Sequence, residues 1–207
     1  MSAEDDFVGR VRRLQALART GLHYCANEYD RDRYEEMERL AAALLADGRP
    51  EGIAALTEAW SGERGYVTPK VEVRGAHFTG EQVLLVRERA DGLWTLPGGW
   101  ADIGESPARA VEKEFEQEAG LRVRAIKLAG LLDPQRATNR PVLFHAWKAL
   151  FLCEVLGGEP RGSYETDAVE YFPVDALPPL SLGRSTPAQI HRLFEHWRHR
   201  ELASDFD

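Results

Sequence analysis

The sequence predicts an α+β fold in which a mixed β-sheet lies between helices and a small helical domain precedes it. Two observations carry this expectation. Apolar residues recur at helical spacing over positions 5–60, and from Tyr66 the period changes to the alternation of strands. The strand-rich segments are then bracketed by helices before and after, which is the pattern of a sheet covered on its faces.

The elements follow in order. Phe7, Val11, Leu14, Leu17 and Ala18 form the stripe of a first helix. Asp30 is placed to cap a second, whose stripe runs through Tyr34, Met37, Leu40 or Ala41, Leu44 and Leu45. DGRP at 47–50 breaks it, and a third helix carries Ile53, Leu56 and Trp60. SGERG at 61–65 reads as a linker, so we expect a helical domain at 1–64 and a second domain at 65–207. So small and amphipathic a module should pack on the rest of the chain or on a second subunit.

In the second domain, VTPKVEVRGAHF alternates as a strand and EQVLLVRER follows it after a turn at Thr79-Gly80. DGLWTLPGGW is a glycine-rich loop. SPARAVEKEFEQEAG is a helix with Ser106 at its N-cap, Pro107 in the first turn and Gly120 at its C-terminal cap. RVRAIKLAGLL, PVLFHAWKALFLCEVL and the shorter AVEYFPV are strands, and PAQIHRLFEHWRHR is a closing helix with Ile190, Leu193, Phe194 and Trp197 on one face.

Composition narrows the function. The chain has 207 residues, 26 Lys and Arg against 34 Asp and Glu, and a net charge of −8. That balance disfavours long nucleic acids, whose phosphates reward clustered basic residues. It is compatible with a small phosphorylated substrate, provided a divalent metal supplies positive charge locally. The two cysteines, Cys25 and Cys153, show no CxxC pairing and read as buried thiols. MSAEDDFVGRVRR lacks the apolar core of a signal peptide, and no apolar run approaches the roughly 20 residues that cross a bilayer, so the cytoplasm is the expected compartment.

The chemistry concentrates in GWADIGESPARAVEKEFEQEAGL, Gly99 to Leu121. On its helix, Ala108, Val111, Phe115 and Ala119 share the buried face, Glu118 falls just beside it, Glu114 a little further round, and Gln117 beyond. Carboxylates beside a core face are costly unless something neutralises them, and hard cations such as Mg²⁺ seek such oxygens. Read alone, EKEFEQE is more often only the solvated face of a surface helix with i to i+4 partners. The Pro97-Gly98-Gly99 loop before the helix offers close backbone approach and carbonyl oxygens, and the helix N-terminus favours a phosphate nearby.

The full spacing resembles the Nudix signature: a glycine, five residues, a glutamate, seven residues, then Arg-Glu-apolar-any-Glu-Glu-any-Gly-apolar. Gly99, Glu105, Glu114, Phe115, Glu118, Gly120 and Leu121 match; Lys113 stands for the arginine and Gln117 for the first glutamate of the pair. The helical N-terminal module together with LLVRE, FLCEVLGGEPRG and LPPLSLGRST extends the resemblance to a two-domain bacterial Nudix group that includes CDP-choline and ADP-ribose pyrophosphatases. The resemblance implies an α/β/α sandwich with a mixed sheet, Mg²⁺ or Mn²⁺ as cofactor, a nucleotide substrate and a homodimer joined through the N-terminal helices. Carried over by position, Glu114, Glu118 and the Gly99 carbonyl would hold metal. Gln117 could still offer an amide oxygen but no charge. Lys113 would orient the catalytic glutamate as a point charge, less rigidly than a guanidinium, and Gly98, Glu105 and Gly120 would shape the motif.

The expected reaction is hydrolysis of the phosphoanhydride bond of a nucleoside diphosphate linked to a group X. Glu165 resembles the acidic loop residue that serves as general base in parts of the superfamily; it is preferred to Asp167 and Glu170, with Glu118 as the fallback. Arg87, Trp100 and Arg184 are candidates to bind substrate, whereas Trp94 reads as core. His145, His191, His196 and His199 lack a metal-ligand pattern and read as packing or surface residues. Two alternatives stay open: action on nucleoside triphosphates or RNA ends, and a nucleotide sensor of low activity owing to Gln117.

Overall fold

In a computed structural model, residues 3–62, 65–134 and 145–207 are described. Of the described residues, those up to Pro69 together with His145 form one compact unit, and residues 70–134 and 146–207 form a second.

The first unit consists of α1 (Ala3–Tyr24), α2 (Glu28–Leu45) and α3 (Pro50–Ser61). Its core is Val11, Ala41, Ala42 and Trp60, with Leu14, Leu45, Ile53 and Leu56 packed against them. Two details differ from the sequence reading. Asn27, not Asp30, caps α2: its side chain accepts the Asp30 amide, so Asp30 occupies the first turn as the capped residue. The buried stripe of α2 is also rotated. It runs through Glu38, Ala41 and Ala42, leaving Leu40 and Leu44 exposed, because Glu38 is drawn inward to Arg19 at 3.0 Å. Gly21 admits the Tyr34 ring where any side chain would collide, and that close approach favours small alanines at the seam. Cys25 lies beyond the end of α1 and is only partly buried, unlike Cys153, which is fully buried.

The second unit holds β1 (Lys70–Ala76), β2 (Phe78–Thr79), β3 (Gln82–Glu88), β4 (Trp94–Thr95), α4 (Pro107–Ala119), β5 (Leu121–Leu132), β6 (Ala146–Gly158), β7 (Thr166–Pro173), α5 (Pro187–Arg198) and β8 (Asp205–Phe206). The strand expected over PVLFHAWKALFLCEVL begins at Ala146; its first residues lie outside those described. One sheet has the order β1-β6-β5-β8 and is mixed: β1 runs parallel to β6, β5 antiparallel to β6, and β8 parallel to β5. In the other, β7 pairs along the whole of β3, while β2 and β4 share its opposite edge.

Alternation divides the core into two clusters. Ala149, Phe151 and Cys153 of β6, with Leu84 and Val86 of β3, pack under Val111, Phe115 and Ala119 of α4. Leu150, Leu152, Val83 and Leu85 point the other way, toward Ile190 and Leu193 of α5. Trp94 joins that second cluster, as the sequence suggested. The C-terminal helix begins with a full capping box between Thr186 and Gln189. Among the described residues no helix is long and apolar enough to cross a membrane.

Candidate active site

Helix α4 starts and stops where its sequence dictates. The Ser106 hydroxyl accepts the Arg109 amide, Pro107 sits in the first turn, and Gly120 adopts the left-handed φ of 71° that ends the helix. Phe115 and Val111 anchor one face, and that rotation carries Glu118 inward. Its side chain is only 4 % exposed, more buried than its place at the edge of the stripe suggested. Glu114 is half-buried one turn earlier, and Gln117 faces solvent.

The glycine loop closes over both carboxylates. The amides of Val73 and Gly75 donate to the carbonyls of Gly99 and Pro97, and the Ala101 amide donates back to Val71, so residues 97–101 run as an extra strand beside β1. The Gly99 carbonyl, expected as a metal ligand, accepts the Val73 amide of β1 at 2.8 Å. Strand alternation turns Gly98 the other way, and its amide donates to Glu118 Oε2 at 2.8 Å. Both glycines lie in close approach, Gly98 to backbone and Gly99 to a side chain. A Cβ on Gly98, at φ 150°, would sit 2.1 Å from the Val73 carbonyl oxygen, and one on Gly99 would sit 2.7 Å from Glu114 Oε1.

Burial dominates the electrostatics. It pushes the Glu118 carboxyl up to about 7, against the lowering influence of Arg74 and the Gly98 amide, and the charges of Glu114 and Glu88 push it further. Burial also raises Glu114; Arg74 and Lys113 oppose this, while Glu165 and Asp102 add to it. Glu165 is exposed on the loop before β7, yet close enough for its charge to act on Glu114. The neighbouring Tyr164 phenol is raised by a hydrogen bond to Glu165 and, more weakly, by Glu114 and Glu118. The charges of Glu114, Glu118 and Glu165 thus act on one another or on a shared neighbour.

The other candidates are placed differently. Lys113 spans the loop, with Nζ 2.7 Å from Asp102 and 2.8 Å from Glu105, and these two partners raise its pKa. It holds the 102–105 loop to α4 and touches no helix glutamate directly. Arg87 Nε donates to Asp167 at 2.7 Å and its guanidinium lies over the Trp94 ring, which fixes the strand end. Arg184 pairs with Glu88 and Asp91, each at 3.2 Å. Trp100 is 52 % exposed and backs onto Glu72 through a β-bridge, leaving its indole open to a ligand. His196 is buried against Asp205 and His191 reaches the Val174 carbonyl, both packing roles.

The sequence reading missed Arg74, Glu72 and Lys148. Arg74 is almost fully buried; Nε donates to Glu72 at 2.7 Å and Nη1 to the Leu96 carbonyl at 3.0 Å. The β1–β6 register sets Glu72 opposite Lys148, whose ammonium also reaches the carbonyls of Gly183 and Arg184 and is lowered to about 8 by burial. The available signal was a charged residue at every second position of VEVRG, opposite a lone lysine in an apolar strand.

A buried and a half-buried glutamate thus lie under a glycine loop in the second unit. The Nudix domain model matches residues 69–194, and the model of the UDP-X-like N-terminal oligomerisation domain matches residues 5–60. The chain is a Nudix hydrolase. It is 40% identical over 207 residues to YjhB of Bacillus subtilis, provisionally named an ADP-ribose pyrophosphatase, covering 100% of both chains. An ADP-ribose pyrophosphatase of Methanocaldococcus jannaschii is 30% identical over 138 residues, 65% of this chain and 78% of that one. Among solved structures, a UDP-X diphosphatase aligns with a TM-score of 0.63 at 28% identity, over 98% of each chain. An ADP-ribose pyrophosphatase from Streptococcus suis aligns with a TM-score of 0.63 at 41% identity, over 68% of this Nudix hydrolase and 100% of that chain.

Proposed function

We propose that this Nudix hydrolase cleaves the diphosphate of a nucleoside diphosphate linked to X, with ADP-ribose as the first candidate and CDP-choline as the second. The observation that carries the reading is the pairing of Glu118 and Glu114 under the Gly98-Gly99 loop, where burial penalises both charges. The names of YjhB and of the two ADP-ribose pyrophosphatases favour the ADP-ribose class, while that of the structure aligned over 98% of the chain keeps UDP-linked substrates in view.

The donor set fits Mg²⁺ or Mn²⁺, being built of the carboxylate oxygens of Glu114 and Glu118. Among the described residues no three acidic, His or Cys side chains already converge as a cage. Water and substrate oxygens would complete the shell, as is usual for Mg²⁺. Glu114 and Glu118 would hold the ion, and Gln117 would contribute at most an outer contact from its solvent-facing position. When bound, the ion supplies charge neutralisation for the diphosphate and lowers the pKa of water.

Glu165 takes a proton from the attacking water. A new P–O bond forms, the bond from that phosphorus to the bridging oxygen breaks, and AMP and ribose 5-phosphate leave when X is ribose. Arg74 balances the remaining negative charge from within the core. Trp100 offers its exposed ring to the base or the X group. The helical module, with Leu17, Leu40 and Leu44 exposed, joins two chains as a homodimer.

The test is a product assay with ADP-ribose, CDP-choline, UDP-sugars and nucleoside triphosphates, each with Mg²⁺ or Mn²⁺ and beside Glu118→Gln. Metal-dependent nucleoside monophosphate, lost in the variant, supports the proposal. Products from triphosphates alone would overturn the substrate class. Nucleotide binding without turnover would establish the sensor reading and point to Gln117.

A further inference from the structure

We propose that Thr166 is a positioning residue: its hydroxyl bolts the loop carrying Glu165 to the end of the helix carrying Glu118, and so sets the distance between base and metal-binding carboxylates. This rests on the reading of Glu165 as base.

A helix leaves its last carbonyls without intrahelical partners. In α4 two of them are taken by one loop. Thr166 Oγ1 donates to the Glu118 carbonyl at 2.6 Å, and the Arg161 amide donates to the Ala119 carbonyl at 3.0 Å. Thr166 is fully buried, although it is polar and its neighbours Glu165 and Asp167 are exposed. Threonine has a single hydroxyl proton. Because a carbonyl can only accept, that proton is committed to Glu118.

The rest of the turn is then determined. Thr166 Oγ1 accepts from the Ser163 amide at 3.2 Å and, its own proton being spent, also from Ser163 Oγ at 3.2 Å. Ser163 Oγ in turn accepts the amides of Glu165 at 3.1 Å and Thr166 at 3.2 Å. On its other side the loop is pinned to the end of β3, where the Arg89 amide donates to the Glu165 carbonyl at 2.8 Å and Arg89 Nε to the Ser163 carbonyl at 3.2 Å. The backbone of Glu165 is thereby held from both sides, while its carboxylate stays in solvent beside Glu114. An exposed base on a free loop would sample many positions, and misplacement by about an ångström costs on the order of 100-fold in rate.

The experiment compares Thr166→Val, Thr166→Ser and Ser163→Ala with wild type and Glu165→Gln. It measures kcat and KM for ADP-ribose with Mg²⁺, Mn²⁺ affinity by calorimetry, and Tm. Thr166→Val should lower kcat by roughly 10- to 100-fold, leaving KM and Mn²⁺ affinity within about 3-fold. Thr166→Ser, which keeps the hydroxyl, should stay within about 3-fold of wild type. The partly exposed Ser163→Ala gives a folded second probe and should show a smaller kcat loss of the same kind. Acting through one group, Thr166→Val should add nothing to Glu165→Gln. Wild-type kcat in Thr166→Val and Ser163→Ala, with Glu165→Gln impaired, would overturn the tether and leave the base assignment standing. Full additivity in the double variant, or equal losses in kcat, KM, metal affinity and Tm, would reduce Thr166 to a structural residue. A fully active Glu165→Gln would overturn the base reading, and the proposal with it.

Discussion

Glu118 Oε2 accepts the Gly98 amide proton across 2.8 Å, and this contact joins helix α4 to the loop that roofs it. A single hydrogen bond from a neutral donor does not offset the burial of a carboxylate, so the acid form persists to about 7. The folded chain therefore holds this proton more tightly than the unfolded chain, whose glutamate titrates near 4.5.

The sign of the resulting pH dependence is fixed. A raised carboxyl contributes stability that is fully present below the unfolded value and is lost as pH rises through the folded one. In EDTA, this group should cost the fold on the order of 3 kcal/mol between about pH 4.5 and 7. Glu118→Gln should remove most of that slope and melt several degrees above wild type at pH 8. Saturating Mg²⁺ should raise the Tm of wild type more than that of the variant. Parallel melting curves for the two proteins across this range would contradict the assignment of buried charge to Glu118.

The adjacent glycines should fail in different ways. Gly98→Ala drives a Cβ into the Val73 backbone at a left-handed φ, with nothing flexible to yield, and should cost roughly 1–3 kcal/mol of stability. Gly99→Ala meets only the Glu114 carboxylate, which can swing aside. It should melt near wild type while Mg²⁺-dependent kcat/KM falls by about 10- to 100-fold. Calorimetric melting and kinetics on the two purified variants separate these outcomes.

That difference also marks how far the sequence could be read. Ser106, Pro107, Gly120, Glu114 and Glu118 act within one helix, and local periodicity and spacing are enough to place them. Gly98 and Gly99 were seen as a loop, but which of them faces the carboxylates depends on its pairing with β1, a partner more than twenty residues away. Arg74 was invisible for the same reason: its role exists only once β1 lies beside β6 and the loop crosses under it. The cap of α2 passed from Asp30 to Asn27 because both residue types cap well, and the end of α1 decides between them.

Arg184 was expected at the substrate, but its guanidinium is committed to Glu88 and Asp91. Glu88 is buried, so removing its partner leaves a charge without compensation. Arg184→Met should lower Tm by several degrees and change KM for the nucleotide by less than about 3-fold. A large KM increase at unchanged Tm would return Arg184 to the substrate site.

Arg74 should be the most sensitive of the residues that the sequence did not flag. It is the main charge opposing the burial of both Glu114 and Glu118, and it also ties Glu72 and the Leu96 carbonyl to β1. Arg74→Met keeps the volume but leaves Glu72 with Lys148 alone at 3.6 Å, and loss of one partner from a buried ionic network costs about 3–5 kcal/mol. Both glutamates should then hold their protons to higher pH. Cation binding must displace those protons, so Mn²⁺ affinity should weaken and its pH midpoint should move upward. Arg74→Lys should recover part of the stability, since an ammonium can reach one acceptor, but not the simultaneous contacts to Glu72 and Leu96 that the planar fork makes. Mn²⁺ titrations of the three proteins across pH 6 to 9, with melting curves alongside, test this. Unchanged Mn²⁺ affinity in a folded Arg74→Met protein would show that the two glutamates are set by the loop and helix alone.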